Sequence, residues 1–241
     1  MRKILAVFAH PDDEAFGPGG TLAKYTSEGV EIHLLSATRG EAGEMDDGLK
    51  EKSPNKAIHH IREEELLRSA AVLGIKKVEF LNYIDGRLCN AIYHELANKI
   101  ITKIKKFRPQ IIITLDRLGI SGHLDHIAVS MITTYAFLHT NTPKKLYYHC
   151  LSKKQRRLEG DDYFVYFPEG YDEEQITTRI DYTDYFEKKT AAMYQHESQM
   201  SDVKAIHSYL KKLPKIDNFI LQNHRGVKVN FPETDLFAGL D

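Results

Sequence analysis

Cysteine is scarce in this sequence: only Cys89 and Cys150 occur among 241 residues. Two thiols exclude a disulfide framework and point to a reducing cytoplasm, with both side chains read as packing residues. An excess of either charge is lacking too. Lys and Arg total 33 against 34 Asp and Glu, a formal net charge of -1. So small an imbalance gives no electrostatic footprint for nucleic acid. Long hydrophobic runs are missing as well. The apolar stretch at Ile4 to Ala9 is far too short to span a membrane and carries no signal-peptide cleavage pattern, and no later stretch is long enough. There is no internal repeat, low-complexity tract or evident linker. What is present suits a soluble globular protein with a sizeable core, at 42% hydrophobic and 28% charged residues. The length fits one large domain or a domain with an appendage.

Strand and helix patterns alternate through the first 150 residues. Lys3 to Ala9 is continuously apolar, as in a strand buried on both faces. Thr21 to Glu28 reads as a short helix stopped by Gly29, and Val30 to Ala37 as a second strand. Gly40 to Asn55 is polar and reads as a long loop. Apolar spacing predicts helices over Lys56 to Leu73, from Ile92 to Phe107, and from Leu124 to Leu138. Strands are predicted at Val78 to Leu81, Ile111 to Leu115 and Leu146 to Cys150. This alternation predicts an α/β fold with a mostly parallel sheet covered by helices on both faces. Beyond residue 150 the pattern loosens. Strands are expected near Tyr163 to Phe167 and Gln175 to Ile180, with a helix around Tyr185 to Gln195. Leu210 to Asp241 carries no assignable pattern. The expectation is one domain over 1–241, with a βα core at 1–150 completed by 151–241.

The chemistry gathers where the strands end. HPDDE (His10 to Glu14) follows the first strand, TRGE (Thr38 to Glu41) the second, NYID (Asn82 to Asp85) the third and DRLGISGHLDH (Asp116 to His126) the fourth. In parallel sheets ligands bind at the carboxyl ends of strands, so these four clusters belong to one edge. Pro11 keeps His10 extended in line with the strand, leaving Asp12 and Asp13 on the turn to point in different directions. His and Asp are good ligands for zinc or a similar divalent metal. His123 and His126 are three apart and face one side of a helix start, with Asp125 placed to orient an imidazole. GPGG (Gly17 to Gly20) lacks the full phosphate-binding signatures and reads as turn and helix entry. His196, in QHESQ, ends the later helix. An exposed helix end and a role in the site are equal readings of it.

AHPDDE, TRGE, REEEL (Arg62 to Leu66), the DG after the third strand, GHLDH and QHESQ follow in that order. In this the sequence resembles the PIG-L/LmbE-like N-acetylglucosaminyl deacetylase family, from residue 3 to about residue 200. One departure is Leu124, where the family usually has Pro.

The resemblance implies a zinc-dependent hydrolase on a Rossmann-like sheet, with Fe2+ as the alternative metal. By position, His10, Asp13 and His126 bind the metal and Asp12 is the general base. His123 stabilises the oxyanion, Asp125 supports the histidines, and Arg39 and Asp85 hold the sugar. Glu14 is a support. The implied substrate is a small amino-sugar conjugate of open aglycone, acted on in the cytoplasm, with a homo-oligomer left open. Three protein ligands leave a metal position for water, as in catalytic rather than structural sites. Whether Asp12 or His123 protonates the leaving amine is open at this stage. The rivals are a metal amidase for another small amide such as a thiol S-conjugate, a non-catalytic Rossmann-like binding module, and a nucleotide binder.

Overall fold

The structure, a computed structural model, describes residues 1–45, 56–156 and 167–240. Its centre is a sheet of seven strands in the order β3-β2-β1-β4-β5-β7-β6. The strands are β1 (Lys3–Phe8), β2 (Glu31–Ser36), β3 (Lys77–Phe80), β4 (Ile111–Leu115), β5 (Lys145–Cys150), β6 (Thr178–Asp181) and β7 (Ile216–His224). The first five pair in parallel, with Ile4 opposite both Ile32 and Ile111. Ile4, Leu5, Val7 and Phe8 of β1 are buried. Each such side chain contributes roughly 1.5–3 kcal/mol relative to exposure.

Helices cover the sheet, and their bounds follow from local chemistry. α1 (Asp13–Phe16) and α2 (Gly19–Ser27) come directly off β1. Gly20 has no room for a side chain, because a Cβ there would meet the Tyr182 ring at 2.2 Å. α3 (Ile58–Leu73) ends at Gly74, which is left-handed at φ 84. α4 (Tyr93–Phe107) stops as the chain approaches Pro109. α5 (Leu124–Leu138), α6 (Phe186–Met193) and α7 (Met200–Leu210) follow. The predicted core elements all form within two residues of their expected bounds, and α2 begins at Gly19 rather than Thr21 because GPGG enters the helix directly.

The less regular third joins the same sheet. β7, for which no strand pattern was assignable, runs antiparallel between β5 and β6. Asp217 and Asn218 interrupt its apolar run, yet both are buried. The strand expected near Gln175 to Ile180 is β6, shifted towards Asp181. Residues 163–166 of the other expected strand, and 46–55 of the predicted loop, lie outside the described residues.

Order reverses between β1 and β4: from β1 the chain steps outward through β2 and β3, then returns to β4 on the opposite side. The crevice outside the carboxyl ends at such a switch point is the expected ligand position.

Candidate active site

Ala9 and His10 leave the carboxyl end of β1 at that switch point. The Asp13 carboxylate turns back and accepts hydrogen bonds from the Ala9 and His10 amides at 3.0 and 2.9 Å through Oδ2. Its Oδ1 lies 3.2 Å from His126 Nε2. On the other side of the crevice, β4 runs into a loop kinked at Gly119 and Ile120, both at positive φ. Gly119 is required there, since a Cβ would sit 2.9 Å from that of His126. Its carbonyl accepts from His126 Nδ1 at 3.0 Å, which leaves Nε2 with the lone pair. His123 caps α5, its Nδ1 accepting from the Asp125 amide at 3.1 Å.

His10 is oriented from behind. Its Nε2 faces Asp85 Oδ1 at 2.9 Å and Asp125 Oδ2 at 3.4 Å, while its Nδ1 lies 3.0 Å from His126 Nε2. Asp125 also accepts from the amides of Gly86 and Leu88, at 2.7 and 3.0 Å, so it fixes the loop after β3 to the same ring. A histidine whose second nitrogen donates to a carboxylate has a fixed tautomer and a more basic ligating nitrogen. With Nε2–H donating backward, the lone pair of His10 Nδ1 and the Asp13 Oδ1 each face the lone pair of His126 Nε2, at 3.0 and 3.2 Å, with no hydrogen between them. Acceptors meeting this closely need a proton or a cation. The donor atoms of His10, His123 and His126 lie within 4.8 Å of one another, as do those of His10, Asp85 and Asp125. The site therefore fits a divalent metal among imidazoles and carboxylates.

The electrostatics agree. Burial alone would lower the His10 pKa, but Asp125, Asp85 and Asp13 outweigh it and push it up to about 10. Asp13 is held well below the usual carboxylate range: burial raises it, and His126 and His10 more than compensate. Asp12 goes the other way, up to about 6, because burial dominates over the attraction of Arg62. Two adjacent carboxylates thus take different protonation behaviour from their surroundings. His123 is pushed down to about 4 by burial and by the neighbouring histidines.

The structure brings His10, Asp12, Asp13, His123, Asp125, His126 and Asp85 to one crevice, and it refines two expectations. Asp85, expected to hold sugar, is buried against His10 and accepts from the Ala42 amide at 3.2 Å. Arg39, also expected to hold sugar, is only half-buried and already engaged, by Asn82 at 2.9 Å and Glu63 at 2.8 Å. His196 is fully buried, which overturns the exposed helix-end reading. Arg62 was given no role. Its Nη2 reaches Asp12 Oδ2 at 2.8 Å and the Pro11 carbonyl at 2.7 Å, and its Nη1 reaches the Gly40 carbonyl at 3.3 Å. The available signal was Arg62, Glu65 and Ser69 at helical spacing, a polar stripe on the buried side of α3.

The profile of the family described as PIG-L, GlcNAc-PI de-N-acetylase, matches residues 5–137, just over half of the chain. The chain belongs to the PIG-L family. Its members include metal-dependent N-deacetylases, and this chain is a hydrolase of that type. A mycothiol S-conjugate amidase from Streptomyces coelicolor is 28% identical, with 99% of this chain and 97% of that protein covered. A 1D-myo-inositol 2-acetamido-2-deoxy-alpha-D-glucopyranoside deacetylase from Actinosynnema mirum is 30% identical, with 99% and 97% covered. The N,N'-diacetylchitobiose deacetylase from Pyrococcus horikoshii shares the fold, with a TM-score of 0.68 at 23% identity over 90% of this chain and 82% of that one. In this chain HPDDE and HLDH line one crevice, His10 and Asp13 each facing His126. No helix among the described residues is long and apolar enough to cross a membrane.

Proposed function

We propose that this PIG-L chain removes the N-acetyl group from an N-acetylglucosamine-type amino-sugar conjugate, holding zinc through His10, Asp13 and His126 and using Asp12 as general base. The observation that carries the reading is His126 Nε2 meeting two further acceptors, His10 Nδ1 at 3.0 Å and Asp13 Oδ1 at 3.2 Å, beside a raised carboxylate. Zinc bound there supplies Lewis acidity and lowers the pKa of a water from about 15.7 to about 7.

The chain's own groups do the rest. Asp12 sits between Arg62 and Asp13, with a pKa near 6 that suits it to take a proton at neutral pH and return it. His123 is neutral at pH 7, since burial pushes it to about 4. Its Nδ1 accepts a backbone hydrogen bond, so Nε2 carries the hydrogen and donates to the developing oxyanion. The proton for the leaving amine therefore comes from Asp12. Asp85 and Asp125 hold the His10 ring. Arg39, at the rim, is the sugar contact that remains accessible. Both cysteines are unpaired, which fits a reducing cytoplasm.

The similarity to a mycothiol S-conjugate amidase keeps a second amide class in view. The test is amine release, with zinc present, from a panel of N-acetylglucosamine conjugates set beside thiol S-conjugates. Acetate and free amino sugar support the reading. Turnover of S-conjugates alone replaces it with the amidase, and no turnover of either class removes it.

A further inference from the structure

Asp12 is held in an unusual backbone conformation, at φ 119 and ψ -28. That region favours glycine, and an L-residue stays there only when its surroundings hold it. Arg62 grips the side chain. The main chain is gripped separately: the Asp12 amide donates to Glu14 Oε2 at 3.1 Å. The other oxygen of Glu14 is committed elsewhere. Oε1 accepts from Ser69 Oγ at 2.5 Å and from His196 Nε2 at 2.8 Å. Glu14, Ser69 and His196 are fully buried. The Phe16 ring packs edge-on against His196 with centroids 5.9 Å apart.

The geometry has a direction. A carboxylate rotates about its last torsion unless both oxygens are engaged. Ser69 on α3 and His196 after α6 fix Oε1, and this sets where Oε2 meets the Asp12 amide. The same helix supplies Arg62 two turns before Ser69, so α3 holds the backbone of Asp12 through Glu14 and the carboxylate of Asp12 directly. A carboxylate and an imidazole buried this deeply in a polar cluster call for an explanation beyond packing. Aiming the reacting carboxylate supplies one.

We propose that Glu14 is a positioning residue for Asp12, and that His196, with Ser69, is the anchor that keeps Glu14 in place. The chain of contacts runs from His196 to Glu14 to the Asp12 amide, and His196 and Glu14 are both fully buried behind the crevice. The proposal rests on the reading of Asp12 as general base, and two independent readouts separate the two.

The first readout is kinetic, on a sugar conjugate that the wild type deacetylates. In His196→Ala, kcat is expected to fall by about 10- to 100-fold, the scale of a small misplacement of a reacting group. KM should stay within about 2-fold and bound zinc should be unchanged. His196→Gln, which can still donate to Glu14, should recover most of kcat. The second readout is a crystal structure of His196→Ala, or of Ser69→Ala if that variant does not fold. Asp12 is expected to leave positive φ, or Glu14 Oε2 to part from its amide. Unchanged kcat, a loss that tracks missing zinc, or Asp12 and Glu14 unmoved in the variant structure overturns the proposal. A wild type inactive on amino sugars, with Asp12 displaced in the variant, overturns the substrate reading and leaves the positioning inference standing.

Discussion

At the scale of single residues, neighbouring groups of one chemical type are made different by what surrounds them. Asp12 and Asp13 are adjacent carboxylates, one raised by burial and one lowered by two imidazoles. Asp12→Ala should therefore keep its zinc while losing about 10²- to 10⁴-fold in deacetylation, the usual range for a general base; metal analysis beside amine release checks it. His126→Ala should lose bound zinc, and zinc retained at full stoichiometry removes His126 from the ligand set. His149 at the end of β5 gives a pH prediction. Burial pushes it down to about 4 from 6.5, and its Nδ1 has no hydrogen-bond partner among the described residues. The unfolded chain binds that proton at higher pH than the folded one. Stability should thus fall as pH drops from about 6.5 to about 4, by about 3 kcal/mol in all. Urea unfolding across that window should show a shallower loss in His149→Leu than in the wild type. The residues proposed as metal ligands and base could be picked out in the sequence because they lie in two short runs at strand ends. The partner of Glu14 could not, because His196 is 182 residues away and only folding joins them.

At the scale of elements, α3 shows how a helix can be buried through polar contacts. Arg62 meets Asp12, Glu65 meets Ser198, and Ser69 meets Glu14. Glu65 accepts from the Ser198 amide at 2.7 Å and its hydroxyl at 2.6 Å. Glu65→Ala leaves both donors buried without that acceptor, at a cost of about 1–3 kcal/mol. Hydrogen exchange should quicken at the Ser198 amide, and an unaltered rate would count against the contact. Apolar periodicity placed α3 correctly through Ile61, Leu66, Ala70 and Leu73, but says nothing about buried polar groups between them. β7 escaped detection for a related reason. Asp217 looks like a surface residue in sequence, yet it accepts from the Thr21 amide and hydroxyl, both at 2.8 Å, and pairs with Lys189 at 3.2 Å. A strand whose polar residues are satisfied from other elements does not show an alternating pattern.

At the scale of the whole molecule, the C-terminal third is tied to the core by a buried ion pair. Lys145 of β5 meets Glu233 at 2.6 Å, and the Tyr147 hydroxyl donates to the same carboxylate at 2.6 Å. Lys145→Met leaves Glu233 buried without its cation and should cost about 3–5 kcal/mol in chemical denaturation. Adding Glu233→Leu should recover most of that loss, and a double variant as unstable as the single one would show that the pair stabilises beyond mutual neutralisation. The position of β7 has a further consequence, for synthesis. β5 has its parallel partner β4 as soon as residue 150 has emerged, but its other side waits for residues 216–224. β6 emerges earlier and has no neighbour until β7 arrives between them. A chain emerged as far as α7 would hold the crevice and its His196 anchor beside an unpaired edge of β5, the kind of edge that templates aggregation. For this protein, the interval between the emergence of residues 150 and 224 is the stretch in which that edge stands open.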